Sequence, residues 1–352
     1  MTLIAITAID VLARLAQFDT IIDARSQSEY AEDHLPGAVN WPSLNDEQRH
    51  LVGTQYKQDS PFDAKKRGAA LVAHNIARHI EVGVMDKPKQ WQPLVYCWRG
   101  GKRSGALALV LSEIGFNVQV LQGGYRAFRR AVVAELEALP RRFDWRVICG
   151  ATGSGKSRLL QLLALQGAQV LDLEAIANHR GSVLGLGPGE RQPSQKRFDT
   201  LVWNTLRRFD PQRQVFVESE SKKVGDLHLP SALIEQMRAA PCLDLGLPLE
   251  ARVRLLLDEY RHFVVDTESF CLRLDALRQL RGNQVVETWQ NAARAGDTQI
   301  VVRELLLEHY DPIYLQSMRR NYAGFASPRD QLKWDGSEAK LIELAQRIAV
   351  PS

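Results

Sequence analysis

Cys97 is followed by Trp98, Arg99, Gly100, Gly101, Lys102, Arg103 and Ser104, so three cations and two glycines stand in the seven positions after the thiol. The residues before it, Pro93-Leu94-Val95-Tyr96, form an apolar strand, and those from Ser104 onward read as a helix. A thiol placed between a strand end and a helix start has its thiolate stabilised by the helix dipole and by neighbouring cations, here Arg99, Lys102 and Arg103. Gly100 and Gly101 let backbone N–H groups converge on an oxyanion beside the sulfur. The pattern therefore predicts a nucleophile at neutral pH, whereas Cys149, inside a second apolar strand, reads as core packing.

The second constellation is Gly150-Ala151-Thr152-Gly153-Ser154-Gly155-Lys156-Ser157, which satisfies G-x-x-x-x-G-K-[ST] between a strand and a helix. Glycines at Gly150, Gly153 and Gly155 allow the chain to wrap, with Thr152 and Ser154 between them, so that N–H groups point inward at the positive end of a helix. Lys156 is placed to contact terminal phosphate oxygens, and Ser157 to hold Mg²⁺. Carboxylates that could join such an ion are Glu218, Glu220 and Asp172, each near a strand end, although a carboxylate there is as often a helix cap. The loop recognises a di- or triphosphate group and no base, so any phosphorylated substrate could occupy it.

Both loops need a parallel sheet to hold them. Apolar runs at Thr20–Asp23, Pro93–Cys97 and Asn117–Leu121 alternate with helical patterns at Ser104–Gly115 and Tyr125–Leu139, which implies strands covered by helices. After Pro140-Arg141-Arg142 a second series begins, with strands at Trp145–Cys149, Ala168–Leu171, Gln214–Val217 and Cys242–Leu245 and a helix at Lys156–Leu165. From Glu250 onward the pattern is mainly helical, including Ala251–Phe263 and Ile300–Arg320. The expected organisation is two α/β domains, residues 1–138 and residues 139–352, the second with a helical C-terminal part.

A length of 352 residues suits two cores, and 45% hydrophobic with 24% charged residues suits soluble ones. The formal charge of +4 permits an anionic partner without demanding one. The four cysteines, Cys97, Cys149, Cys242 and Cys271, lie far apart and none has zinc-ligand spacing, which argues against a disulfide framework or a structural metal. Leu3-Ile4-Ala5-Ile6 meets Asp10 before a signal core develops, and no apolar run is long enough to span a bilayer, so a cytoplasmic protein with no membrane partner is expected.

Around Cys97 the chain resembles the rhodanese family. Asp23-Ala24-Arg25-Ser26-Gln27-Ser28-Glu29-Tyr30 with His34-Leu35-Pro36-Gly37-Ala38 is similar to that family's amino-terminal signature, and Leu121-Gln122-Gly123-Gly124-Tyr125-Arg126-Ala127-Phe128 to its closing one. The resemblance implies a rhodanese-like parallel-sheet domain in which Cys97 carries transferable sulfur as a persulfide and Asp23, Arg25 and His34 are structural. Five residues separate Cys97 from Arg103, one more than in sulfur-transferring rhodaneses, and this wider ring resembles the rhodanese-like phosphatases. A thiol phosphatase is thus one alternative, weakened by Tyr96 standing where those enzymes have histidine and by the lack of an aspartate placed as general acid.

A Cys-Trp-Arg-Gly-Gly rhodanese module followed by a P-loop NTPase-like module resembles the tRNA 2-selenouridine synthase family along nearly the whole chain. Asn178-His179-Arg180-Gly181-Ser182 and Gln192-Pro193-Ser194-Gln195-Lys196 look like motifs of its second module without an evident packing purpose, which adds His179 and Arg180 as secondary site candidates. The resemblance implies a selenotransferase that replaces sulfur by selenium in the wobble 2-thiouridine of tRNA, with selenophosphate as donor and a selenophosphate-supplying enzyme as partner. It also implies geranylation of that sulfur from geranyl diphosphate. On this reading the loop Arg99–Ser104 handles selenophosphate and Gly150–Ser157 the diphosphate. RNA phosphates would meet cations such as Arg141-Arg142, Lys222-Lys223, Arg252/Arg254 and Arg319-Arg320, and Trp98, Trp203 or Tyr310 could stack on a base. A P-loop kinase with a regulatory rhodanese domain is the remaining alternative.

Overall fold

Apolar runs that are buried on both faces become the central strands of parallel sheets, and two such sheets organise this chain. The computed structural model describes residues 3–179, 191–261 and 265–349. Its contacts divide the chain into two units, residues 1–136 with 193–204, and residues 137–192 with 205–352. The range 139–352 therefore includes a segment, Pro193–Asn204, that packs with the first unit.

In the first unit, strands β1 (Ile4–Ile6), β2 (Thr20–Asp23), β3 (Ala38–Asn40), β4 (Pro93–Tyr96) and β5 (Gln119–Leu121) form one sheet in the order β1-β5-β4-β2-β3. Every pairing is parallel. The middle strand, β4, is buried at all four positions and delivers Cys97 at the carboxyl end of the sheet, where open α/β sheets place their sites. The helix Lys102–Ile114 returns over the sheet, burying Leu107, Ala108 and Leu111 at helical spacing and ending at Gly115 with φ +112°. Those side chains meet Ile22, Val95, Trp91, Phe116 and Val118 in one core. Between β3 and β4 lie two helices, Asp46–Gln58 and Pro61–Gly83, that the sequence pattern does not announce.

In the second unit, β6 (Asp144–Cys149), β7 (Gln169–Leu171), β8 (Gln214–Glu218), the small antiparallel pair β9 (Lys223–Val224) and β10 (Leu227–His228), β11 (Cys242–Gly246) and β12 (Asp330–Lys333) follow in turn. The main sheet runs β12-β11-β6-β8-β7, all parallel, with β6 again central. Its core gathers Ile148, Leu159, Leu160, Phe216, Leu245 and Leu332, side chains whose burial stabilises by about 2 kcal/mol each. The C-terminal part is mainly helical, as expected, and within it a late segment, β12, adds the fifth strand beside β11. The helix expected at Ile300–Arg320 runs without a break from Thr298 to Asn321, its middle stretch Leu305–Tyr310 being π-helical. Among the described residues no helix is long and apolar enough to cross a membrane.

Candidate functional site

The thiol loop is shaped by contact between two glycine segments. Gly100 has φ +65°, and a Cβ there would stand 2.6 Å from the Leu121 carbonyl oxygen. Gly124 has φ +58°, and a Cβ there would overlap the Cys97 carbonyl oxygen and the Gly100 nitrogen. Tyr125 N donates to the Cys97 carbonyl at 2.8 Å and Arg126 N to that of Trp98 at 3.2 Å. The Leu121–Phe128 motif is thus the backbone clamp of the loop.

The Cys97 sulfur accepts from the Ser104 hydroxyl at 3.2 Å and from Gly101 N at 3.4 Å. Burial pushes the thiol up, but the Ser104 hydroxyl and the backbone N–H groups of Ser104, Gly101 and Arg99 outweigh it and bring the thiol below its ordinary range. The sequence assigns this effect to the helix dipole and to cations together, and these N–H groups at the helix start are the dipole's part of it. Of the cations, Arg103 forms an ion pair with Glu29 at 2.7 Å, while Arg99 and Lys102 are exposed. Glu29, a site residue that sequence reasoning missed, sits in the capping box of the helix Gln27–Glu32, and Ser26 three positions earlier was its signal. Arg103, Glu29, Trp98 and Arg49 line a cavity of about 460 Å³ beside the loop, with Ser28 and Glu32.

Asp23, Arg25 and His34 sit behind this loop. Arg25 is fully buried and bonds Asp23 at 2.6 Å, the Tyr96 hydroxyl donates to Asp23 at 2.7 Å, and the Arg25 guanidinium lies 4.0 Å from the Tyr125 ring centroid. Tyr96, where phosphatases carry histidine, is therefore a strut. His34 stacks on Tyr30, with ring centroids 3.9 Å apart.

In the second unit the P-loop leaves β6 as expected. Gly150, Gly153 and Gly155 all have positive φ, and Cβ atoms there would strike Ser154 Oγ, Leu256 and Trp334 respectively. Trp334 Nε1 donates to the Ser154 carbonyl at 2.9 Å, so the residue after β12 props the loop. Lys156 Nζ donates to the Gly150 carbonyl at 2.8 Å, and the Ser157 hydroxyl donates to Glu174 at 2.9 Å. Glu174, Glu218 and Glu220 bring their carboxylates within 4.8 Å of one another. Glu218 is fully buried and well above the usual carboxylate range, through burial first and then Glu174, Glu220 and Asp172; burial likewise pushes Glu220 up to about 8. Asp172 caps the helix Leu173–Ala177 by accepting from Ala175 N and stands outside the carboxylate triplet. Glu174, two residues on, is the ligand candidate that sequence reasoning missed; its Asp-x-Glu spacing at a strand end was the available sign. His179 lines the same pocket, and Arg180 lies outside the described residues.

The pocket over the P-loop has a volume of about 590 Å³. Thr152, Gly153, Gly155–Ser157, Glu174 and Glu220 form its polar end, and Leu256, Tyr260, Tyr310, Ile313, Tyr314 and Met318 form a wall from the helical part. Tyr314 accepts from Gly150 N at 2.6 Å and its ring lies 5.7 Å from Lys156 Nζ. Arg252, a candidate for RNA contact on sequence alone, is instead buried: it donates to the Thr152 carbonyl at 2.8 Å and forms a two-pronged pair with Asp311 at 2.9 and 2.6 Å. Trp203 is likewise removed from the stacking candidates, being fully buried with Nε1 on Glu135.

Ser194 and Lys196, which have no evident packing purpose in the sequence, bond the Glu32 carbonyl and carboxylate within the first unit at 2.5 and 2.7 Å. Residues 143–275 match the family described as tRNA 2-selenouridine synthase AAA domain, and residues 7–131 match the rhodanese-like domain. A tRNA 2-selenouridine synthase of Sulfurovum sp. is 33% identical over 331 residues, covering 86% of this chain and 89% of that one. Its counterpart in Alcanivorax borkumensis is 32% identical over 338 residues, covering 87% and 91%.

Proposed function

The chain belongs to the tRNA 2-selenouridine synthase family, and from that premise we propose that it exchanges sulfur for selenium at the wobble 2-thiouridine of tRNA, in the cytoplasm, in two steps. In the first, the base's sulfur attacks C1 of geranyl diphosphate; the C–O bond breaks and pyrophosphate leaves with its electron pair. In the second, selenium from selenophosphate adds at C2, the geranyl thiolate departs, and water releases phosphate from the P–Se bond. A thioether leaves more readily than a bare thione, which is what the first step achieves.

The observation that carries this reading is the single pocket joining the Gly150–Ser157 cradle to the apolar and aromatic wall of Leu256, Ile313, Tyr314 and Met318. A diphosphate with a hydrocarbon tail satisfies both ends. A divalent cation fits the cluster beside it, since Glu218 Oε2 is buried with no partner among the described residues. Ser157, Glu174, Glu218 and Glu220 would hold that ion, which supplies positive charge against the diphosphate. Cys97 and the Arg99–Ser104 loop are assigned to the selenium step, because the lowered thiol makes Cys97 a nucleophile and the N–H groups converging beside it suit an anionic donor.

The test separates the steps on a thiolated anticodon stem-loop. Cys97→Ala should abolish selenium incorporation while geranylation persists, and Lys156→Ala should raise KM for geranyl diphosphate at least roughly tenfold. Equal loss of both steps in both variants would defeat this division of labour. Nucleoside mass spectrometry of cells lacking the gene should show no 2-selenouridine.

A further inference from the structure

We infer that the cavity beside the thiol loop is a slot for one unpaired base of an RNA strand, stacked on Trp98 with its phosphate met by Arg49. This deepens the tRNA reading above and rests on it. The cavity, about 460 Å³, is lined by Ser28, Glu29, Glu32, Arg49, Trp98 and Arg103. That lining holds two carboxylates and two guanidinium groups, so its own formal charge cancels. A neutral, flat ring with polar edges suits such a wall.

Trp98 is a fixed platform. Its ring stacks against Tyr125 with centroids 5.4 Å apart and planes 29° apart, and its carbonyl is held by Arg126 N. Tyr125 is itself anchored, its hydroxyl donating to Asp33 at 2.9 Å. An indole that is half-buried and braced from behind loses little freedom when a base stacks on it.

The two arginines are not equivalent. Arg103 is held by Glu29 at 2.7 Å and is only 23% exposed, which makes it part of the wall. Arg49, on the helix Asp46–Gln58, stands 3.5 Å from the same carboxylate and is 53% exposed, so it can turn to a phosphate at the cavity mouth.

The experiment is a cycle of Kd values on the full chain, using an RNA hairpin with uridine at the wobble position and the same hairpin abasic there. The wild type should bind the uridine hairpin roughly tenfold tighter. Trp98→Ala should bind both at the abasic level, with Trp98→Phe between. Arg49→Gln should weaken both hairpins equally and lower the salt slope by about one. An unchanged far-ultraviolet circular dichroism spectrum in each variant shows the fold intact. Equal preference for the base in Trp98→Ala and wild type overturns the slot alone; a wild type that binds neither hairpin overturns the tRNA reading together with it.

Discussion

At the scale of single residues, the chemistry of Cys97 is set by neutral dipoles. The Ser104 hydroxyl and the N–H groups of Ser104, Gly101 and Arg99 work against burial to favour the thiolate, and Arg103 is already paired with Glu29. A thiolate held by hydrogen bonds depends on one oxygen more than on the surrounding charge. Ser104→Ala should therefore move the pH profile of Cys97 alkylation upward and slow the reaction at pH 7 roughly tenfold, the cost of one hydrogen bond to a charged group. Lys102→Ala, at an exposed position, should leave the profile nearly unchanged. The reverse order of effects, read by iodoacetamide labelling from pH 5 to 9, would return the role to the cations. This was the part of the site that sequence could not resolve: three cations after a cysteine are visible in a string of letters, but whether they face the sulfur or an acid much earlier in the chain is decided by packing.

At the scale of elements, both sites stand at the carboxyl end of a central strand, β4 or β6, where a glycine loop turns into a helix. The central strands were legible because they are buried on both faces and read as apolar runs, as Pro93–Tyr96 and Val147–Cys149 show. β1 lies in the short apolar run Leu3–Ile6, which the sequence weighs only as a signal core, while β3, of three residues, and β12, with only Leu332 buried, left no such run to read. The clamp between the Cys97 loop and the Leu121–Phe128 segment was visible as two glycine motifs but not as a contact. Its energetics are testable. Gly100→Ala and Gly124→Ala put a Cβ into backbone atoms at positive φ and should each destabilise the first unit by about 2 kcal/mol or more. Gly105→Ala, inside the helix Lys102–Ile114 with nothing within 4 Å of the added carbon, should be neutral or stabilising by up to about 1 kcal/mol. Urea denaturation midpoints for the three variants decide it, and a Gly105 variant as damaged as the others would show that the loop is not under contact constraint.

At the scale of the whole molecule, the sequence order and the packing order differ. The chain leaves the second sheet after β7, contributes Pro193–Asn204 to the first unit, and returns to form β8. That segment is no passive linker. Thr200 donates to the fully buried Asp33 at 2.9 Å, Asp199 pairs with Arg129, and the Trp203 indole packs edge-on against Phe128 with its N–H on Glu135. A seam near Pro140 is a natural reading of the sequence, since the apolar pattern does break there. What that reading lacks is long range: the helix Gln195–Leu206 looks like any amphipathic helix, and nothing local says which sheet its buried face serves. The rhodanese-like unit should therefore depend on residues that follow it well down the chain. Trp203→Ala removes a fully buried indole, a change that costs about 3 to 5 kcal/mol. Hydrogen exchange should show amide protection falling by at least roughly a hundredfold in β2 and β4 while β6 and β8 stay within about tenfold of wild type. Equal loss in both sheets would mean that the two units unfold as one body, and unchanged protection in β2 and β4 would mean that the first unit stands without its borrowed helix.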